Sequence, residues 1–159
     1  MIKKLILGFF VFAFFSGCLK KKESTCQYDA CYDKAPASEV QMVEDYLSSQ
    51  GITNAQKHCS GMYYLVDNAG SGKQATACSA VDVNYVGKFT NGTVFDQGTH
   101  FQTYLANVIQ GWANGVPLIK QGGVIHLYIP PSFGYGSQGY QSIPGNAVLI
   151  FDITLNTVY

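Results

Sequence analysis

The chain has 159 residues, enough for one ordinary domain with appendages. Its formal net charge is zero and only 13% of its residues are charged. With no basic excess and no aromatic-plus-arginine platform, nucleic acid is excluded as a partner. Aromatic residues reach 14%, with eleven Tyr and ten Phe around a single Trp. A domain of this size buries roughly two thirds of its unfolded surface, so it needs no metal to fold. The composition fits a compact core and an aromatic-lined apolar pocket equally well.

Lys3 and Lys4 precede an apolar run from Leu5 to Phe15, and Ser16 and Gly17 stand just before Cys18. A basic start, a short apolar stretch and a small-residue cut site describe a secretory signal over residues 1–17. The run is shorter than the ~20 residues a membrane-spanning helix needs. Phe15-Ser16-Gly17-Cys18 resembles a bacterial lipobox, with Phe where Leu is usual. The resemblance implies that Cys18 is lipidated and becomes the first mature residue, with an ordinary signal peptide as the alternative. Two or three acyl chains anchor a protein stably where one does not. Nothing after Cys18 resembles an inner-membrane retention aspartate. The expected location is therefore outside the cytoplasm, anchored to the outer membrane and facing either the periplasm or the surface.

Cys26, Cys31, Cys59 and Cys78 form an even set in an exported chain, which reads as up to two disulfides with three connectivities open. The pairing expected here is Cys26–Cys31 with Cys59–Cys78. His58, His100 and His126 are isolated, and no paired Cys-x-x-Cys or His-x-x-x-His spacing builds a tetrahedral metal site. Neither metal nor cofactor is expected. Gly70-Ser71-Gly72-Lys73 lacks the leading glycine of a phosphate loop and has Gln74 after the lysine, so it reads as a turn.

Residues 18–36 are polar, contain Pro36 and lack periodicity; they read as a tether. A helical segment is expected within 37–57. Ser38 and Gln41 would form a capping box, and Val40, Val43, Tyr46 and Leu47 share one face before Gly51 stops the helix. That face is expected to pack on the following domain, with another chain as the alternative. From Gly61 the period becomes two. Met62–Val66, the alternating Val81, Val83 and Tyr85, then Val124–Ile129 and Val148–Leu155 read as strands, with Asn91-Gly92 as a tight turn. A short helix falls around Ile109–Val116. Many antiparallel strands and one short helix predict an α+β domain over 58–159.

Six blocks in this span resemble the FKBP family of peptidyl-prolyl isomerases. They are Val83–Gly87, Gly92–Asp96, Val108–Val116, Phe133–Gly136, Ile143–Ala147 and Leu149–Ile153, in the family's order and near its spacing. The resemblance implies an antiparallel twisted sheet wrapped around one short helix, here with an extra N-terminal helix. It places Trp112 at the floor of an apolar cup whose walls are Tyr85, Phe95, Phe101, Val108, Ile109, Ile143 and Phe151. It also supplies three polar contacts: the Ile109 N–H, the Tyr135 hydroxyl and the Asp96 carboxylate. Tyr140 stands at or near a position that is often His, and Thr103 replaces a common aromatic. The implied activity is isomerisation of X–Pro bonds in exported polypeptides, with macrolide inhibitors as further ligands. The alternative is a membrane-anchored proline-binding or chaperone module with little catalysis.

Overall fold

The computed structural model describes residues 26–159, so the expected signal, Cys18 and the tether as far as residue 25 lie outside it. The first helix, α1 (Ala37–Ser49), starts behind Pro36, whose fixed φ suits a helix entry. The expected capping box does not form. The helix begins one residue before Ser38, no side chain caps it, and Gln41 bonds Asp45 on its own exposed face at 2.8 Å. Its C-terminus is as expected. Gly51, at φ +67°, donates its N–H to Ser48 O, and the Ile52 N–H donates to Leu47 O, which closes the helix as a Schellman motif.

Six antiparallel strands follow: β1 (Gln56–Lys57), β2 (Tyr63–Asn68), β3 (Ala80–Phe89), β4 (Val94–Tyr104), β5 (Val124–Ile129) and β6 (Leu149–Val158). They form one sheet in the order β1-β2-β5-β6-β3-β4. The turn at Asn91-Gly92 joins β3 to β4, with Gly92 at φ +82° and the Phe89 N–H donating to Thr93 O. Neither β4 nor β1 stands out as a strand in the sequence. β1 is only two residues long, and β4 lies at the sheet edge with most of its side chains exposed, which erases the alternation a strand is recognised by.

Between β4 and β5 the chain makes the short helix α2 (Gln110–Gly115), which packs on one face of the sheet. Leu149, Phe151, Ile153 and Leu155 of β6 point to this inner face, joined by Ile125, Leu127 and Ile129 of β5 and Val81 and Val83 of β3. The intervening residues point outward, where α1 lies. Val43 and Leu47 pack there against Tyr128, Val148 and Ile150, which answers the question of what the α1 stripe serves. Farther along the same outer face, Lys88, Asp152, His126 and Asp67 form a row of charges.

Residues 26–36 form a strap rather than a free tether. The disulfides are Cys26–Cys78 and Cys31–Cys59, with Cα–Cα distances of 5.8 and 5.4 Å, and not the pairing by proximity in sequence. The strap runs along the domain, its Ala35 N–H donating to Ser60 O at 2.8 Å, so each of its sulfurs meets a partner on the domain. Closing loops of 52 and 28 residues is worth about 3–4 kcal/mol apiece on the chain-entropy account. His58 sits against Cys59 Sγ at 3.6 Å, but the sulfurs beside it are tied in the disulfide and offer no thiolate to a metal.

Candidate active site

A cavity of about 380 Å³ opens on the inner face, between α2, β3, β4 and the segment after β5. Tyr85, Asp96, Phe101, Asn107, Val108, Ile109, Trp112, Tyr135 and Phe151 line it. Eight of these carry expected roles. Asn107 does not: it ends a short 3₁₀ turn over Leu105–Asn107, and a lone Asn beyond a strand end gives no sequence signal.

Asp96 and Phe101 are five residues apart, so strict alternation along β4 would put them on opposite faces. β4 is irregular at two places, and the first of them, between Gly98 and Phe101, brings the two residues to one face. Val83 pairs with Phe101 but Tyr85 pairs with Gly98, and Gly87 pairs with Asp96 but Lys88 with Val94, so β4 carries one extra residue at each place. At the first bulge His100 adopts φ +52° and its N–H is held by Asn84 Oδ1 at 2.9 Å. The phase change leaves Asp96, Gly98 and Phe101 facing inward, opposite Gly87, Tyr85 and Val83.

The rings meet edge to face, the arrangement their quadrupoles favour. Tyr85 lies 5.1 Å from Trp112 and 5.7 Å from Phe101, and Trp112 lies 5.3 Å from Phe151 at 89°. Phe95 does not line the cavity. It stands behind the wall, 5.5 Å from Phe151 and 4.9 Å from Phe89. Ile143 is likewise absent from the lining. It is buried in the core, and its backbone pairs with Tyr140 in both directions. Tyr140, the departure from the common His, stacks on Tyr135 with 5.5 Å between centroids and 12° between planes.

Trp112 reaches the floor because α2 comes very close to the sheet. A Cβ at Gly111 would lie 2.6 Å from the Ile129 side chain, and one at Gly115 would lie 2.5 Å from Leu127. Ile109 is the N-cap of α2, and its N–H has no protein acceptor among the described residues, as expected of a helix's first donors. Trp112 Nε1 is buried without a partner among the described residues. The Tyr85 hydroxyl donates to Asp96 Oδ2 at 2.8 Å. Burial, reinforced by that hydrogen bond, pushes the Tyr85 hydroxyl up to about 12. Burial also raises Tyr135, helped by the charge of Asp96. Both phenols therefore stay protonated donors at neutral pH, and the Tyr135 hydroxyl has no partner among the described residues.

The site is an aromatic cup on a half-wrapped sheet, with one carboxylate and, among the described residues, an unpaired amide at its rim, the form small-ligand sites usually take. Residues 71–156 match the model of the FKBP-type peptidyl-prolyl cis-trans isomerases. The chain belongs to that family. It is 43% identical over 109 residues to the FKBP-type isomerase FkpA of Buchnera aphidicola from Schizaphis graminum, covering 65% of this chain and 43% of that protein. The crystal structure of FkpA from Escherichia coli superposes with a TM-score of 0.69 at 34% identity, over 77% of this chain and 60% of that one. A peptidyl-prolyl isomerase from Pseudomonas syringae gives 0.67 at 26% identity, over 79% of this chain and 97% of that one. The chain spans less than half the length of the curated FkpA proteins it matches.

Proposed function

We propose that this domain catalyses cis–trans isomerisation of X–Pro bonds in exported polypeptides by twisting an amide held without covalent chemistry. The observation that carries the reading is the cavity, apolar over most of its wall and closed below by Trp112. Unaided, an X–Pro bond isomerises on the order of tens to hundreds of seconds because amide resonance resists the twist. The twisted amide loses that resonance and its charge separation, so it is less polar than the planar form. An aromatic cup binds it better than it binds the ground state, which is differential transition-state binding.

In this reading the prolyl ring sits on Trp112 between Tyr85, Phe101, Val108 and Phe151, and the preceding carbonyl accepts the Ile109 N–H. The Tyr135 hydroxyl donates a second hydrogen bond at the opposite rim. Asp96 orients Tyr85 and sets the local potential; no step requires it to take a proton. Phe95 and Ile143 act as backing that holds Phe151 and the Tyr135–Tyr140 pair in place. Macrolide inhibitors are proposed ligands of the same cup.

Export and lipid anchoring at Cys18 complete the proposal, supported by the Lys3–Cys18 pattern and by two disulfides of the kind that persist in oxidising compartments. Labelling with a fatty acid should be lost in Cys18→Ser. For catalysis, the exported chain carrying Cys18→Ser is assayed on a prolyl peptide. Acceleration is expected, falling about tenfold in Asp96→Ala and much further in Phe151→Ala. No acceleration by the parent chain would sink the enzyme and leave a proline-binding module. A rate that survives both substitutions would place the site elsewhere.

A further inference from the structure

α2 is six residues long. A helix of this length does not hold its shape alone, and Gly111 and Gly115 weaken it further. On the sheet side, the close approach to Ile129 and Leu127 fixes it. On the other side it meets the strap. Tyr28 Oη donates to Asn114 Oδ1 at 2.5 Å, and Gln110 Nε2 donates to Asp33 Oδ2 at 3.0 Å. These bonds grip the first and the penultimate residue of α2. Trp112 lies between them, and the unpaired Ile109 N–H comes immediately before. The strap is itself immobilised at Cys26, Cys31 and Ala35. Neither Tyr28 nor Asp33 lines the cavity, so neither can act on a bound amide directly.

We propose that Tyr28 and Asp33 are positioning residues: they clamp α2 from behind and thereby set the Ile109 amide and the Trp112 ring for the prolyl substrate. The proposal rests on the isomerase reading above. It explains why a polar segment is joined to the domain by two disulfides at the back of the site helix. Both hydrogen bonds are partly solvated, so their loss shows in the geometry of the site more than in global stability.

The test uses the exported chain with Cys18→Ser, alone and with Tyr28→Phe, Asp33→Ala, Asp33→Asn or Tyr32→Ala added. It reads kcat/KM on a prolyl peptide, the emission of Trp112 (the single Trp of the chain) and the thermal midpoint. Tyr28→Phe and Asp33→Ala are each expected to lower kcat/KM about 3- to 10-fold, the range a single net hydrogen bond spans, and to shift the emission while the midpoint holds. Asp33→Asn, whose carboxamide oxygen still accepts from Gln110, should recover the rate. Tyr32→Ala, on the same strap but 82% exposed, should change nothing. Unchanged rate and emission in Tyr28→Phe and Asp33→Ala would overturn the proposal. So would a loss in Asp33→Asn as large as that in Asp33→Ala, or a loss that merely tracks a falling midpoint. A parent chain with no activity sinks the isomerase reading instead, and the emission arm still decides whether the strap sets α2.

Discussion

The two faces of the sheet are made from alternate residues of the same strands, yet they carry opposite chemistry. On β6, Leu149, Phe151, Ile153 and Leu155 face α2 and the cavity, while Ile150 faces α1 and Asp152 joins the outer row of charges. The inner face places its aromatic rings around an open cup, with Asp96 as the only acidic lining group among the described residues. The outer face is closed by a helix at one end and by paired ions at the other. The lesson is a division of labour: apolar surface left open for a ligand is offset by apolar surface sealed behind it, and most of the sheet's charge is kept on the sealed side.

Separate duties can be broken separately. The largest effect is expected on the outer face, where Leu47→Ala removes a buried side chain between α1 and Tyr128, Val148 and Ile150. It should cost about 2–5 kcal/mol of stability in denaturant titrations while the folded fraction keeps its full kcat/KM. A matching fall in kcat/KM would show that α1 tunes the cup through the sheet. The inner face should answer the other way. Phe101 is 41% exposed and touches Tyr85 edge to face, so it holds the wall without filling the core. Phe101→Ala should lower kcat/KM about 3- to 10-fold, the value of one aromatic pair, with stability almost unmoved.

Much of this arrangement is legible in the sequence because it follows from short-range rules. The α1 stripe, the Gly51 stop, the Asn91-Gly92 turn and the limits of β5 rest on periodicities and on residues suited to particular φ values. Family resemblance locates the cup and points to every lining residue but Asn107. What could not be read depends on contacts across the fold. The bulge at His100 reverses the phase of β4, and no local pattern announces it; without it Asp96 and Phe101 would face opposite ways. The disulfides pair across 52 and 28 residues because the strap lies along the domain, and proximity in sequence points to the wrong partners. Phe95 shows the remaining gap. A residue can belong to the aromatic set and still sit one layer behind the wall.

The outer charges give the smallest effect and the sharpest test of the sealed face. His126 has Nδ1 2.6 Å from Asp152 and Nε2 2.7 Å from Asp67, so both ring nitrogens must donate, which requires the imidazolium. The hydrogen bond to Asp152, aided by Asp67 and opposed by burial, lifts His126 from 6.5 to about 9. The His126 bond, with Lys88 adding a second at 2.5 Å, draws Asp152 from 3.8 down to about 2. A raised histidine stabilises the fold fully below its unfolded value of 6.5 and loses that contribution as pH climbs through about 9. A lowered carboxylate contributes fully above 3.8 and loses it as pH falls through about 2. The row is therefore strongest between about pH 4 and 6.5. Its side chains are a quarter to a half exposed, so solvent screening reduces the gain to about 1 kcal/mol. Thermal midpoints should fall from pH 6.5 to pH 9 in the parent chain, and His126→Gln should flatten that slope. The activity of the folded protein should not follow it, because the row faces away from the cup; a slope that survives His126→Gln would mean that another group carries the alkaline loss.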